Sequence, residues 1–198
     1  MEQIIKNILD QSLRLKKEFI EDNTSNLIYL SEKIAFAFTN DQKLMLCGNG
    51  GSAADAQHIA AEFVNRFEIE RPPLPAIALT TDTSVITSIG NDYSFKDIFL
   101  KQIKAIGKEG DILLVISTSG SSENIVRAVK YARDHSIFTA GLLGKDGGKL
   151  LGLLDLSILA NDFNTARIQE AHITASHILC HLVDYLMFSR HAEEHMES

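Results

Sequence analysis

Five short apolar runs, Leu44–Cys47, Ala76–Leu79, Ile112–Ile116, Phe138–Leu143 and Leu156–Leu159, alternate with helix-like segments along most of this chain. Runs with so little polar alternation suit strands buried on both faces, as in a parallel sheet. Residues 53–67, 95–106 and 122–134 read as the intervening helices, with a shorter one near 83–89. A last long helix is predicted from Thr165 to Phe188, with Ile168, Ala171, Ala175, Ile178, Leu179, Leu182, Val183 and Leu186 on one stripe. This alternation predicts an α/β fold: a doubly wound, three-layer α/β/α sandwich around a five-stranded parallel sheet. Ligands in such folds bind beyond the carboxyl ends of the strands, so the loops that follow each strand are where chemistry is sought.

Residues 1–40 precede this core. Ile4, Ile5, Ile8, Leu9 and Leu13 recur at helical spacing, as do Leu27, Leu30, Ile34 and Phe38, and the polar stretch Asp22-Asn23-Thr24-Ser25 between them predicts two helices with a break. The apolar stripes of these helices and of the last one exceed what a five-stranded sheet needs to cover, which predicts burial between subunits. A chain of 198 residues with 45% apolar content suits one domain, 1–198, made of N-terminal helices (1–40) and an α/β core (41–198). Arg71-Pro72-Pro73-Leu74-Pro75 reads as a stiff connection into the second strand, because proline fixes φ and blocks helix.

A formal net charge of -7 argues against a nucleic-acid partner, which calls for a cationic surface. No apolar run is long enough to span a bilayer, so no membrane partner is expected. Met1 to Lys17 spreads its charges among apolar residues and lacks the apolar block of a signal peptide. Cys47 and Cys180 show no metal-type spacing and read as reduced core thiols. These features predict a cytoplasmic protein.

Two loops carry the ligand signal. The first strand runs into Cys47-Gly48-Asn49-Gly50-Gly51-Ser52 and then a helix, where glycines let backbone N–H groups approach a ligand. Gly48-x-Gly50-x-x-Ala53 also matches the dinucleotide fingerprint, but the acidic residue after the next strand, Asp82, comes too late, so no nucleotide cofactor is expected. The third strand ends in Ser117-Thr118-Ser119-Gly120-Ser121-Ser122-Glu123 at a helix start. Five hydroxyls at a helix N-terminus suit one anion, and the absence of a Gly-Lys-Ser/Thr pattern argues for a sugar phosphate rather than a nucleotide. A helix cap alone needs only one of those hydroxyls.

The helix after the glycine loop contains Gln57-His58-Ile59-Ala60-Ala61-Glu62, with His58 and Glu62 one turn apart on one face. Such a pair can chelate a metal or present a base beside its partner, although a lone pair of this kind is more often a surface interaction. On the last helix Gln169 and His177 are separated by a rise of about 12 Å, so spacing alone does not pair them. His135, His181, His191 and His195 read as packed or solvated residues.

The chain resembles the bacterial phosphoheptose isomerases of the sugar isomerase (SIS) domain group. The resemblance runs nearly end to end. It rests on Cys47-Gly48-Asn49-Gly50-Gly51-Ser52, Gln57-His58-x-x-x-Glu62, Gly90-Asn91-Asp92, Ser117-Thr118-Ser119-Gly120-x-Ser122, Lys145-Asp146-Gly147-Gly148 and Ala166-Arg167-Ile168-Gln169-Glu170-x-His172. It implies conversion of sedoheptulose 7-phosphate to D-glycero-D-manno-heptose 7-phosphate through an enediol, the entry to ADP-heptose and lipopolysaccharide cores, by a homotetramer with active sites at subunit interfaces. By matching position it implies that Asn49, Gly50, Gly51, Ser52, Asn91, Asp92, Ser117, Thr118, Ser119, Ser122 and Gln169 bind substrate. It further implies that His58, Glu62, Gln169 and His177 hold one zinc ion per subunit, and that Glu62 and His177 are the catalytic base and acid. A related non-catalytic group binds the bacterial replication initiator; Glu62, His177 and the Ser119 hydroxyl favour the enzyme over that alternative.

Overall fold

The computed structural model describes residues 1–189. His191 and His195 lie outside the described residues. The element order is α1 (Glu2–Thr39), β1 (Leu44–Gly48), α2 (Gly51–Val64), β2 (Ala76–Ala78), α3 (Thr83–Asp92), α4 (Ile98–Ile106), β3 (Ile112–Ser117), α5 (Glu123–Asp134), β4 (Phe138–Gly144), β5 (Leu156–Ala160) and α6 (Thr165–Asp184). Short 3₁₀ turns at Phe95–Asp97 and Gly148–Leu150 and a π-helical turn at Tyr185–Ser189 complete it.

The five strands form one parallel sheet in the order β2-β1-β3-β4-β5. Leu44 pairs with Ala76 on one side and with Ile112 on the other. Strand residues divide by parity between two apolar layers. Leu44, Leu46, Ile112, Leu114, Ile116 and Leu142 pack with α1, α2 and α6. Met45, Cys47, Leu113, Val115 and Leu143 pack against Ile89, Phe99, Ile103 and Val129 of α3, α4 and α5. The three-layer sandwich expected from the apolar runs is therefore the observed fold. Because β2 lies to one side of β1 and β3 to the other, the chain reverses its winding between β1 and β3, and the crevice beyond their carboxyl ends is the ligand position for this topology.

The N-terminal region departs from expectation. The predicted pair of helices is a single helix, α1, 38 residues long. Asn23 does not break it: its Nδ2 donates to the Phe19 carbonyl at 2.8 Å, and its Oδ1 accepts from Leu159 N–H at 3.3 Å. Thr24 Oγ1 donates back to Ile20 O at 2.8 Å. Polar side chains that would open a new helix as caps bond one turn backwards instead. The first third of α1 is held to α6 by Ser12 Oγ donating to Glu170 Oε2 at 2.5 Å and by Arg167 Nη1 donating to Ile8 O at 3.0 Å. Its apolar residues Ile4, Ile5, Ile8, Leu9 and Leu13 remain exposed. Among the described residues no helix is long and apolar enough to cross a membrane.

Candidate active site

The glycine loop after β1 bends because Gly50 adopts φ 57°, a left-handed conformation that glycine takes without strain. A Cβ at Gly48 would overlap the Ser52 backbone, so the start of α2 can close on β1 only with glycine there. Asn49 leaves this loop toward α5 and exchanges two hydrogen bonds with Asn124, at 3.0 and 2.9 Å.

The serine-rich loop after β3 faces it. Gly120 adopts φ 59° and packs on the backbone of Gly147, while Leu150 N–H donates to Gly120 O at 2.9 Å. The Lys145–Gly148 turn thus braces the loop from behind. Gly120 N–H donates to Ser117 Oγ at 3.1 Å, which fixes the curl. Ser122 occupies the N-cap position of α5, yet its side chain makes no capping hydrogen bond. A helix-capping role therefore does not account for this hydroxyl. The first N–H groups of α5 have no intrahelical partner by construction, and they add the positive end of the helix dipole.

Asn49, Ser52, Ser117, Thr118, Ser119 and Ser122 line one cavity of about 50 Å³ between the two loops. That exceeds the roughly 10–15 Å³ that a single water requires by this measure. Its hydroxyl and amide lining, at the reversal point of the sheet, suits a small anionic group. A wider depression of about 700 Å³ lies beside Lys130, Arg133 and Asp155. It opens at the amino ends of β4 and β5, away from every loop that carries ligand-type residues.

A second cluster lies further along α2. His58 Nε2 is 3.2 Å from Glu62 Oε1 and 3.2 Å from Nε2 of His177, which α6 brings alongside. The His177 ring stacks on Phe67, with centroids 5.5 Å apart and planes inclined 25°. Six residues of helix, about 9 Å, separate Ser52 from His58. Anion compartment and imidazole–carboxylate cluster are thus spaced for a ligand with a phosphate at one end and a reactive group at the other. Gln169 spans part of that gap, since its side-chain amide rests on Gly51 where a Cβ would stand. Burial pushes the Asp55 carboxyl, on α2 between the two clusters, above its ordinary value, while the charge of His58 pulls it down. Its Oδ2 is buried without a hydrogen-bond partner.

The donor types of His58, Glu62, His177 and Gln169 suit a zinc ion, and the two 3.2 Å separations match the roughly 3.3 Å edge of a tetrahedral zinc shell. As they stand, His58 bridges the other two in a chain, and among the described residues no three His, Cys, Asp or Glu side chains converge on one point. Asn91 and Asp92 lie elsewhere, exposed at the end of α3, where Asn91 Nδ2 donates to Asp92 Oδ1 at 2.8 Å. They do not line the cavity. His135 and His181 are exposed, as expected; the first bonds to Tyr131 O at 2.8 Å and the second to Glu68 at 2.9 Å.

The sequence reading did not single out Phe67 or Asn124. Asn124 had a weak signal, an amide in the first turn of a helix at a position facing inward. Phe67 had none, since its partner His177 comes from a distant segment.

A family model described as SIS domain matches residues 8–144. The phosphoheptose isomerase of Nitratidesulfovibrio vulgaris Hildenborough is 53% identical over 178 residues, 90% of this chain and 86% of that one. The phosphoheptose isomerase of Clostridium acetobutylicum is 47% identical over 196 residues, 98% of this chain and the whole of that one. Among solved structures, phosphoheptose isomerase GmhA from Neisseria gonorrhoeae superposes with a TM-score of 0.87 at 41% identity, covering 92% of this chain and 98% of that one.

Proposed function

This chain belongs to the SIS-domain family and, within it, to the phosphoheptose isomerases, and from that premise we propose that it converts D-sedoheptulose 7-phosphate to D-glycero-D-manno-heptose 7-phosphate. It is an aldose–ketose isomerase; the relatives do not favour the alternative of a non-catalytic paralogue that binds the replication initiator. The observation that carries the substrate reading is the pairing of a hydroxyl-lined anion compartment with an imidazole–carboxylate cluster about 9 Å along the same helix.

In this reading the phosphate enters between the loops. It meets the hydroxyls of Ser119 and Ser122 and the free N–H groups of α5, with Asn49, Gly50, Gly51, Ser52, Ser117 and Thr118 shaping the compartment. The sugar then extends toward Gln169 and the second cluster. Glu62 takes the proton from the carbon beside the carbonyl. His177 delivers a proton to the carbonyl oxygen as the general acid, through the ring nitrogen that does not face His58. Returning the proton to the neighbouring carbon of the enediol, while His177 takes up the proton of the hydroxyl that becomes the new carbonyl, completes the exchange of ketose for aldose. Asn91 and Asp92, exposed on α3, are assigned to a site completed between subunits. The product leads toward ADP-heptose and lipopolysaccharide cores, in the cytoplasm.

Direct assay of purified protein with sedoheptulose 7-phosphate tests the activity; absence of turnover at any metal loading defeats it. Ser119→Ala tests the anchor. A lost hydrogen bond to a charged group costs about 1.5–3 kcal/mol. KM should therefore rise on the order of tenfold to a hundredfold with the fold intact. An unchanged KM together with unchanged product inhibition removes Ser119 from the phosphate site.

We assign one zinc ion per subunit to His58, Glu62 and His177, with Gln169 as the fourth donor. The support is the donor set and its two 3.2 Å separations. The chemistry zinc supplies in such a place is polarisation of the substrate carbonyl. Protein purified without chelator should carry close to one zinc per chain by elemental analysis and lose activity in chelator. A trace metal content with full activity in chelator rules the assignment out.

The exposed apolar stripe Ile4, Ile5, Ile8, Leu9 and Leu13 supports assembly into a homotetramer. Light scattering at micromolar concentration is expected to give four times the 21.9 kDa chain mass. A monomeric mass contradicts the assignment.

A further inference from the structure

The acid–base cluster spans two helices, α2 carrying His58 and Glu62 and α6 carrying His177, and its geometry depends on the gap between them. Arg71 sits where that gap is set. The sequence presents it as the first residue of a stiff proline-rich connection. The structure buries its side chain, which is 1% exposed, between the ends of both helices. Nη2 donates to Glu62 O at 2.9 Å and Nη1 to Phe63 O at 2.7 Å, two carbonyls of the last turn of α2. Nη1 also reaches Pro72 O at 3.2 Å. On the opposite edge Nε donates to Asp184 Oδ1 at 2.8 Å, at the end of α6 and two turns beyond His177.

A guanidinium at this point neutralises carbonyls that the helix itself leaves unpaired and meets the negative end of the α2 dipole. Its planar fork holds two carbonyls and a carboxylate in one rigid plane, which lysine cannot do. Stability alone explains the arrangement poorly. Asp184 Oδ2 is buried without a hydrogen-bond partner, and a buried ion pair often gives no more stability than well-packed apolar side chains. Geometry is what the pair supplies. One anchor is the backbone of Glu62 itself, and the other is the helix that presents His177.

We propose that Arg71 is a positioning residue for the isomerisation: clamped between the Glu62 and Phe63 carbonyls and Asp184, it sets the distance across which Glu62 and His58 face His177. The inference rests on the acid–base roles assigned above. A shift of about 1 Å at a reacting pair can cost on the order of 100-fold in rate. The phosphate compartment is built from the loops after β1 and β3, which Arg71 does not touch.

The test compares three variants of the full-length protein, Arg71→Lys, Arg71→Met combined with Asp184→Leu, and Glu62→Gln, in kcat, KM and melting temperature. The double variant removes both charges together, so it leaves no unpaired ion. Its kcat should fall about 10- to 100-fold while KM stays within about threefold. Arg71→Lys, which keeps the cation facing Asp184 but not the fork, should recover part of the loss. It also carries the test by itself if the double variant does not fold. A folded variant with kcat within about twofold of the parent, or a loss confined to KM, overturns the proposal. So does a kcat that merely follows melting temperature across the Arg71 variants. Glu62→Gln separates the two readings: if it retains turnover, the acid–base assignment itself fails, whereas if it loses turnover and the double variant does not, only the positioning role fails.

Discussion

Glu62→Gln and His177→Gln should each lower kcat at least about 100-fold, the scale of general acid–base catalysis. Glutamine keeps the size and planarity of glutamate but cannot accept a proton. At position 177 it keeps a polar side chain but loses the imidazole ring. Neither change should disturb the fold. Glu62 is partly exposed on α2, and His177 rests on the Phe67 ring at the edge of the α2–α6 contact. Substrate binding should survive as well, because the phosphate is held by other groups, in the loops after β1 and β3, and Glu62 lies about 15 Å along α2 from Ser52. The measurement is kcat and KM on sedoheptulose 7-phosphate, with circular dichroism to confirm folding. Near-normal turnover in Glu62→Gln would remove it from the base role. In heavy water the parent enzyme should also place deuterium on the carbon next to the carbonyl, since an enediol proton held by a partly exposed carboxylate can exchange with solvent. Product free of deuterium after many turnovers would favour a shielded transfer or a hydride shift.

What the sequence made legible was local. Each strand carries its own apolar run and each core helix its own periodicity, so the α/β alternation could be read segment by segment. The glycine and serine loops were legible for the same reason, their ligand-facing groups being contiguous. His58 and Glu62 were readable as a one-turn pair. The link from His58 to His177 was not, because it joins residues 119 apart and depends on α6 lying beside α2. Spacing along α6 did not pair Gln169 with His177 either; Gln169 rests on Gly51 of the glycine loop, while His177 faces His58.

The misread helix break shows a related limit. Asn23 and Thr24 can cap a new helix or bond back one turn, and the local sequence does not choose between these. The choice is made by Leu159 on β5, whose N–H meets Asn23 Oδ1 only once α1 has crossed the sheet. Arg71 was hidden in the same way. Its proline neighbours announced a rigid connector, while its function as a clamp depends on Asp184, which lies 113 residues away.

His172 leads to the second large effect, an acid-driven loss of stability that does not involve the active-site groups. It is fully buried on α6 and bonded through Nε2 to Leu143 O at 3.0 Å. A carbonyl can only accept, so Nε2 carries the hydrogen and Nδ1 is left bare. Nδ1 is buried and has no partner, so a second proton would create an uncompensated cation in the core. Burial accordingly lowers the imidazole to about 4 from its usual 6.5, against the raising effect of the Leu143 bond. The unfolded chain takes up this proton near pH 6.5 and the folded chain only near pH 4. Between those values the unfolded state binds more protons, and stability falls as pH falls. Above about pH 6.5 the group is neutral in both states and contributes no slope. Integrated down to pH 4, the shift amounts to about 3 kcal/mol. Urea unfolding of the parent and of His172→Gln at pH 7, 5.5 and 4.5 measures it. The glutamine amide can still donate to Leu143 O and has no proton to gain. The variant should begin less stable at pH 7, since its side chain does not fill the ring's space beside Phe19. It should then lose much less stability than the parent as pH drops, so that the two curves converge. Parallel curves over this range would mean that His172 does not cause the acid sensitivity.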